Sequence, residues 1–304
     1  MPDSWKVTLP CTRAEAELLK GDIAAFSVLD APPVLMTSEP DPAKPDDWRL
    51  DAYFEAKPGK GDLALFASLV PSAKGVKPVV ERIGDADWVT LSQSGLEPIR
   101  AGRFFVHTPA HRGELPPGVT AFEIDAGRAF GTGHHETTTG CLVALDRLKA
   151  GGHAFANIAD IGTGTGLLAF AALRLWPAAR AIASDIDPIA IEVAADNAGV
   201  NRVPVGRARG QVELAVAAGL EHPRLRARAP YDLLIANILA GPLIDLAPAL
   251  AGALAPGGRL ILAGLLDDQA ARVAAAYRRR RMTSAGRIDN DGWPTLVMRK
   301  RRAF

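Results

Sequence analysis

Apolar and polar positions alternate with two periods along this chain, and the switches between them mark its parts. Trp5-Lys-Val-Thr-Leu9 alternates with period two, as a half-buried strand does. Thr12 then stands as a cap before a helical pattern that runs to Phe26. Residues 34–37 and 48–56 read as two further strands, separated by a Pro/Asp-rich loop at 39–47. A second helix is predicted over 61–70, and a last strand at 79–83 or 88–91. The order β-α-β-β-α-β predicts a ferredoxin-like α+β module over residues 1–92. That fold hosts many functions and implies none by itself.

Residues 93–128 read as a connector with a few strands, in which apolar Phe104-Phe-Val-His107 is flanked by Pro98, Pro109, Pro116 and Pro117. From 129 to 304 the pattern is α/β. Strand patterns at 157–161, 181–184, 203–207, 231–236 and 259–263 mostly alternate with helical ones, which predicts a parallel sheet covered by helices on both faces. The end breaks that rhythm. Strands at 282–289 and 294–299 flank Asn290-Asp291-Gly292, a strong hairpin signal, so the last pair is expected to be antiparallel.

With 304 residues there is room for two domains, and 48% hydrophobic with 23% charged side chains is ordinary for a globular protein. The longest apolar tract, 246–266, is broken by Pro248, Pro256, Gly257, Gly258 and Arg259 and does not read as a membrane span. Residues 1–10 mix charge with alternation rather than forming a secretory signal. Cys11 and Cys141 have no ligand-like spacing and read as reduced thiols, so a cytoplasmic protein is expected. A net charge of +1 hides an asymmetry: residues 1–90 hold 10 basic and 15 acidic side chains, a net of −5, against +6 for the rest. An acidic front half disfavours phosphate backbones and suits a basic partner, unless the charges are simply solvated loop residues, especially at 38–51.

The most informative segment is Ile158-Ala-Asp-Ile-Gly-Thr-Gly-Thr-Gly-Leu167 followed by Ala183-Ser-Asp-Ile-Asp187. It is a strand, a glycine loop with Gly162, Gly164 and Gly166, a helix, and a second strand ending in Asp185. Glycines let backbone approach a ligand closely, and an acid after the next strand can accept both hydroxyls of a ribose. A dinucleotide fingerprint, G-x-G-x-x-G, needs its third glycine at 167, where this chain has Leu. The spacing Asp160-x-Gly162-x-Gly164-x-Gly166 instead resembles the first motif of class I methyltransferases, which bind S-adenosylmethionine. The plainer alternative is a glycine turn that lets a helix pack tightly, and Asp185 at the right distance counts against it.

Asn237, in Tyr231-Asp-Leu-Leu-Ile-Ala-Asn237-Ile-Leu-Ala-Gly-Pro242, falls at the carboxyl end of the fourth parallel strand, where open α/β sheets bind ligands. Its amide could accept from an incoming amine and donate to a ligand carboxylate, or it could cap the following helix. In Phe130-Gly-Thr-Gly-His-His-Glu-Thr-Thr-Thr-Gly140, glycines precede a helix start whose first turn carries hydroxyls, so the segment could close over a ligand. His134, His135 and Glu136 lack metal-ligand spacing, so no metal is expected. The basic runs 278–281 and 299–302 admit RNA contact, with solvated charge favoured.

Together, Ala129-Phe-Gly-Thr-Gly-x-His135-x-Thr-Thr138, the glycine motif, Asp185-Ile-Asp-Pro188 and Ala236-Asn-Ile-Leu-Ala-Gly-Pro242 resemble the bacterial methyltransferases of large-subunit ribosomal protein eleven, the PrmA family. The chain departs from that pattern at 134 and 136, with His and Glu where the family usually has Thr and Pro. The resemblance implies a class I methyltransferase domain with a Rossmann-like, mostly parallel seven-stranded sheet behind a ferredoxin-like substrate-recognition domain. It implies an S-adenosylmethionine cofactor, with Phe130, Gly131, Thr138, Gly162, Gly164, Gly166, Asp185 and Asn237 around it and Asn237 at the reacting amine. It also implies methylation of lysine side chains and the N-terminal α-amine of that ribosomal protein. A monomer is expected, with no membrane and no nucleic-acid substrate. The rival readings are a class I methyltransferase for another protein, RNA or a small molecule, and a non-catalytic ribosome-binding factor that keeps the fold.

Overall fold

The structure is a computed structural model and describes residues 4–19, 33–38, 48–54, 56–83, 98–124 and 135–302. The chain divides into two compact units, Met1–Gly95 and Leu96–Phe304.

In the first unit, β1 (Ser4–Cys11) leads into helix α1 (Arg13–Leu19). A reciprocal cap starts that helix. Thr12 N–H donates to Glu15 Oε2 at 2.8 Å, and Glu15 N–H donates back to Thr12 Oγ1 at 3.3 Å. Burial works against the Glu15 carboxylate, but hydrogen bonds from Ser72 and Thr12 outweigh it and hold its pKa down to about 2. Strands β2 (Val34–Ser38) and β3 (Trp48–Phe54), helix α2 (Lys60–Ser68) and β4 (Val79–Ile83) follow. The antiparallel sheet has the order β2-β3-β1-β4, that of a ferredoxin-like fold. Val7, Leu9, Leu50, Ala52 and Phe54 face Ala16 and Phe66 in one core, which is what the period-two alternation requires. The alternative strand at 88–91 and the far end of the helix predicted to Phe26 lie outside the described residues. The sheet's other face carries a cleft of about 540 Å³ edged by Lys6, Arg49, Lys77 and Glu81, so the acidity of this half is not concentrated there.

The second unit begins with a small sheet of β5 (Ile99–Ala101), β6 (Phe104–His107) and β7 (Thr120–Glu123), in that order. Ile99, Phe104, Val106 and Phe122 are buried in the same core as helix α3 (His135–Ala150). The rest alternates: β8 (Asn157–Ile161), α4 (Leu167–Leu175), β9 (Arg180–Asp185), α5 (Pro188–Val200), β10 (Val212–Val216), α6 (Pro223–Arg228) and β11 (Tyr231–Asn237). Two short helices, α7 (Ala240–Asp245) and α8 (Ala247–Ala253), precede β12 (Leu254–Ala263), α9 (Asp267–Arg278), β13 (Met282–Ile288) and β14 (Thr295–Lys300).

These strands form one seven-stranded sheet, β10-β9-β8-β11-β12-β14-β13, with only β14 antiparallel to its neighbours. Both faces are covered. Leu233 and Ile235 point into the core shared with α3 and α4, while Leu234 and Ala236 point into the core shared with α7, α8 and α9. In the terminal hairpin Asp291 (φ 46°) and Gly292 (φ 79°) are both left-handed, and Trp293 N–H donates to Asn290 O at 2.8 Å, as a type I′ turn requires.

One predicted strand is misplaced. Residues 203–207 form no strand, and only Val205 makes an isolated bridge, while the third parallel strand is β10 at Val212–Val216. Pro204 has no N–H to donate, and the segment's pairing stops at bonds exchanged with Val212, Gly206 N–H donating to Val212 O at 2.9 Å and Val212 N–H to Pro204 O at 3.0 Å. Glu213 disguises the true strand. It is 7% exposed in its side chain, and Arg207, Arg224 and Arg228 gather around it from elsewhere in the chain.

Candidate cofactor and active site

The parallel strands β8, β9, β11 and β12 all finish at one end of the sheet, and the sequence-predicted polar residues finish with them. β8 ends in Asp160-Ile161 and the chain turns through the glycine loop into α4. Gly162 (φ 72°), Gly164 (φ 53°) and Gly166 (φ 84°) are all left-handed, a conformation costly for any side chain. Two backbone donors of this loop, Gly162 N–H and Thr163 N–H, are taken by Ser184 O at 2.8 and 2.9 Å, so β9 fixes the loop.

Asp185 closes the loop from the side. Its Oδ2 accepts from Gly164 N–H at 2.9 Å and its Oδ1 from Asp187 N–H at 3.1 Å. A carboxylate has about four acceptor positions, so two remain for an outside donor pair. Ile186, the next residue, is 72% exposed and lays an apolar surface beside that carboxylate.

Asp160 lies underneath, buried. Its Oδ2 accepts from Thr163 Oγ1 at 2.7 Å and Ala169 N–H at 3.2 Å, while its Oδ1 is buried without a partner. Burial, with the charge of Asp185 adding to it and the two hydrogen bonds opposing, pushes its pKa up to about 7. Sequence reasoning used Asp160 only as the opening letter of a motif. Its partner set, Thr163 three residues on and Ala169 in the first turn of α4, makes it the brace of the loop.

Asn237 ends β11, half-buried, and its amide has no hydrogen-bond partner among the described residues. It is not a helix cap: the N-cap of α7 is Leu239, two residues further. What fixes Asn237 is its neighbour. Ile238 N–H donates to Ala263 O at 3.1 Å, its side chain packs against Gly162, and its backbone packs against Gly264. A Cβ on Gly264 (φ 82°) would stand 2.5 Å from Ile238 O, so only glycine fits. Gly264 was not among the sequence candidates. Its signal was a glycine directly after a parallel strand, at the ligand end. Leu239, 71% exposed, is a second overlooked residue at this end.

Thr138 is buried in the first turn of α3. That turn is tied to the terminal hairpin by Asn290 Nδ2, which donates to Glu136 O at 2.9 Å. Phe130, Gly131 and His134 lie outside the described residues. Among the described residues no group of three or more His, Cys, Asp and Glu side chains is arranged to hold a metal ion. None of their helices is long and apolar enough to cross a membrane.

Residues 11–301 match the family model described as ribosomal protein L11 methyltransferase (PrmA). A relative in Caulobacter sp. (strain K31) carrying that description is 44% identical over 254 residues, covering 83% of each chain. One in Brucella suis (strain ATCC 23445 / NCTC 10510) is 47% identical over 219 residues, covering 72% of this chain and 74% of its own. Among solved structures, a ribosomal protein L11 methylase from Lactobacillus delbrueckii subsp. bulgaricus superposes with a TM-score of 0.57 at 25% identity, covering 68% of this chain and all of that one. The ferredoxin-like front unit, the seven-stranded sheet and the polar cluster at its carboxyl end thus stand in a chain that belongs to the ribosomal protein L11 methyltransferase (PrmA) family.

Proposed function

We propose that this chain transfers methyl groups from S-adenosylmethionine to lysine side chains and the N-terminal α-amine of ribosomal protein L11, as a cytoplasmic monomer. The observation that carries the reading is the carboxyl end of the sheet. A carboxylate with two free acceptor positions, an exposed isoleucine beside it and an unpartnered amide stand around left-handed glycines. These residues fit the cofactor. Asp185 would accept the ribose hydroxyls, Ile186 would cover one face of the purine, and Gly162, Gly164 and Gly166 would admit the ligand to the backbone. Thr138, with Phe130 and Gly131 ahead of it, would border the amino-acid tail.

When bound, the cofactor supplies an electrophilic methyl on a sulfonium. The protein's task is to present an amine lone pair in line with it. A lysine with a pKa near 10.4 is almost wholly protonated at pH 7, and removing that proton costs roughly 4.6 kcal/mol. An α-amine near 7.7 needs far less. The Asn237 amide oxygen would accept from the amine and hold its lone pair in place, and exposed Leu239 would cover the amine's approach and lower its pKa by desolvation. The front unit, residues 1 to about 92, would select the protein substrate and take no part in the chemistry.

Mass spectrometry of purified L11 after incubation with enzyme and cofactor tests the reading directly. Successive methyl additions on lysines and on the terminal amine are expected. Unmodified L11 with a cofactor-competent enzyme would overturn it. Protein beginning at Leu96 should bind the cofactor nearly normally and fail on intact L11. Efficient methylation by that shortened protein would remove the front unit from recognition.

A further inference from the structure

The other end of the seven-stranded sheet, where the parallel strands begin, has a chemistry that methyl transfer does not use. β9 starts at Arg180, and Arg207 and Arg209 lie in the loop just ahead of β10. Together with Asn157 at the start of β8 they line a cleft of about 460 Å³. The antiparallel β14 delivers its last residues to this same end, and β13 starts there. The topology therefore brings together the two basic runs, 278–281 and 299–302, which are separate in sequence. Between 278 and 302 there are nine basic and two acidic side chains, and both acids, Asp289 and Asp291, sit at the hairpin on the opposite end.

These cations are available. Arg180, Arg209, the arginines at 278–281, Arg299, Arg301 and Arg302 are exposed and have no carboxylate partner among the described residues. Arg207 is also exposed but shares the buried Glu213 with Arg224 and Arg228. Basic side chains at helix C-termini complement the helix dipole, which accounts for Arg278 at the end of α9. It does not account for Arg180, Arg209 or the 299–302 run, which lie on strands and loops. Most of the set is arginine, whose planar fork pairs bidentately with phosphate oxygens. From 278 to 302 the face presents no exposed large apolar side chain, whereas protein interfaces are centred on apolar or aromatic anchors.

We propose that the amino-terminal end of this sheet binds the phosphate backbone of RNA, as a docking surface separate from the methyl-transfer site. The contact is sequence-independent, and the RNA is not the methyl acceptor. It places the enzyme beside an RNA-rich assembly while the opposite end of the sheet stays open to a protein substrate.

Fluorescence anisotropy of full-length protein with a labelled RNA of about 20 nucleotides, across a potassium chloride series, tests this. Binding should weaken steeply with salt, each neutralised phosphate contributing about −0.7 to the slope of log K against log salt. The double variants Arg180→Gln/Arg209→Gln and Arg279→Gln/Arg280→Gln change exposed side chains only. Each should weaken RNA binding about tenfold or more and reduce that slope by about 1.4, while cofactor affinity stays unchanged. Salt-insensitive binding, wild-type RNA affinity in both variants, or equal affinity for a polyglutamate of matched charge would overturn the proposal, the last in favour of an acidic protein.

Discussion

The two ends of the seven-stranded sheet are built from the same strands yet have opposite characters. Where the strands finish, the backbone is left-handed at three glycines, and the polar groups include Asp160, Asp185 and the Asn237 amide. Where they begin, arginines crowd the surface. In the order of the sequence these residues are interleaved: Asp160 precedes Arg180, which precedes Asp185, then Arg209, then Asn237. Only chain direction sorts them. The sequence charge of +6 beyond residue 90 is therefore a poor description of either end, and the ends have to be perturbed separately to be understood.

The largest effect expected at the carboxyl end is from Asp185→Ala. The proposed charge-assisted hydrogen bonds to ribose would be lost together with the support of Gly164 N–H, so cofactor binding should weaken by about 2–4 kcal/mol by calorimetry. Unchanged affinity in a folded variant would remove Asp185 from the site. Asn237→Ala should lower kcat about a hundredfold at saturating cofactor, since a misplaced reacting group costs that much. Full rescue by added cofactor would reduce Asn237 to a binding residue.

Asp160 makes the same end sensitive to pH. Its folded pKa is raised to about 7, so between about pH 4 and 7 the folded protein keeps a proton that the unfolded chain has released. Its contribution to stability is thus greatest below pH 4, falls as pH rises to about 7, and is level above. Asp160→Asn removes that fall, and its stability relative to wild type should grow by about 2–3 kcal/mol between pH 5 and 8 in denaturant titrations. Parallel profiles would place the Asp160 pKa in the ordinary range. The least direct effect on the chemistry belongs to Gly264→Ala, which acts first on the fold. The left-handed backbone alone costs about 1–2 kcal/mol, and the added carbon presses on Ile238 O. Lower melting temperature should come with lower kcat, because Ile238 positions Asn237. A stability loss with intact kcat would break that link.

Much of this was legible in the sequence because local chemistry dictates it. Left-handed glycines, an Asn-Asp-Gly hairpin and period-two strands are written in adjacent residues. The third parallel strand was not, because Glu213 is tolerated in its interior only through arginines supplied by residues 207, 224 and 228. Gly264 escaped notice for a similar reason: what it makes room for is the backbone of Ile238, 26 residues earlier in the chain. The brace role of Asp160 needed the knowledge that its Oδ1 is buried and unpartnered. Residues 93–128 read as a connector with a few strands, and the part Ile99, Phe104, Val106 and Phe122 play in the larger core was not legible, since alternation over three or four residues is too short a signal.

β14 is the last strand of the chain and lies between β12 and β13 rather than at the margin of the sheet. During synthesis, β12 must wait with one edge unpaired until residues 295–300 have left the ribosome. Between the emergence of β12 and that of β14 the growing polypeptide therefore carries an apolar, hydrogen-bond-hungry edge, including Leu260, Ile261 and Leu262. Asn290, which ties the hairpin to the first turn of α3, arrives in that same final stretch. A polypeptide stopped short of Thr295 would keep nearly every motif and leave β12 and β13 without the strand that joins them.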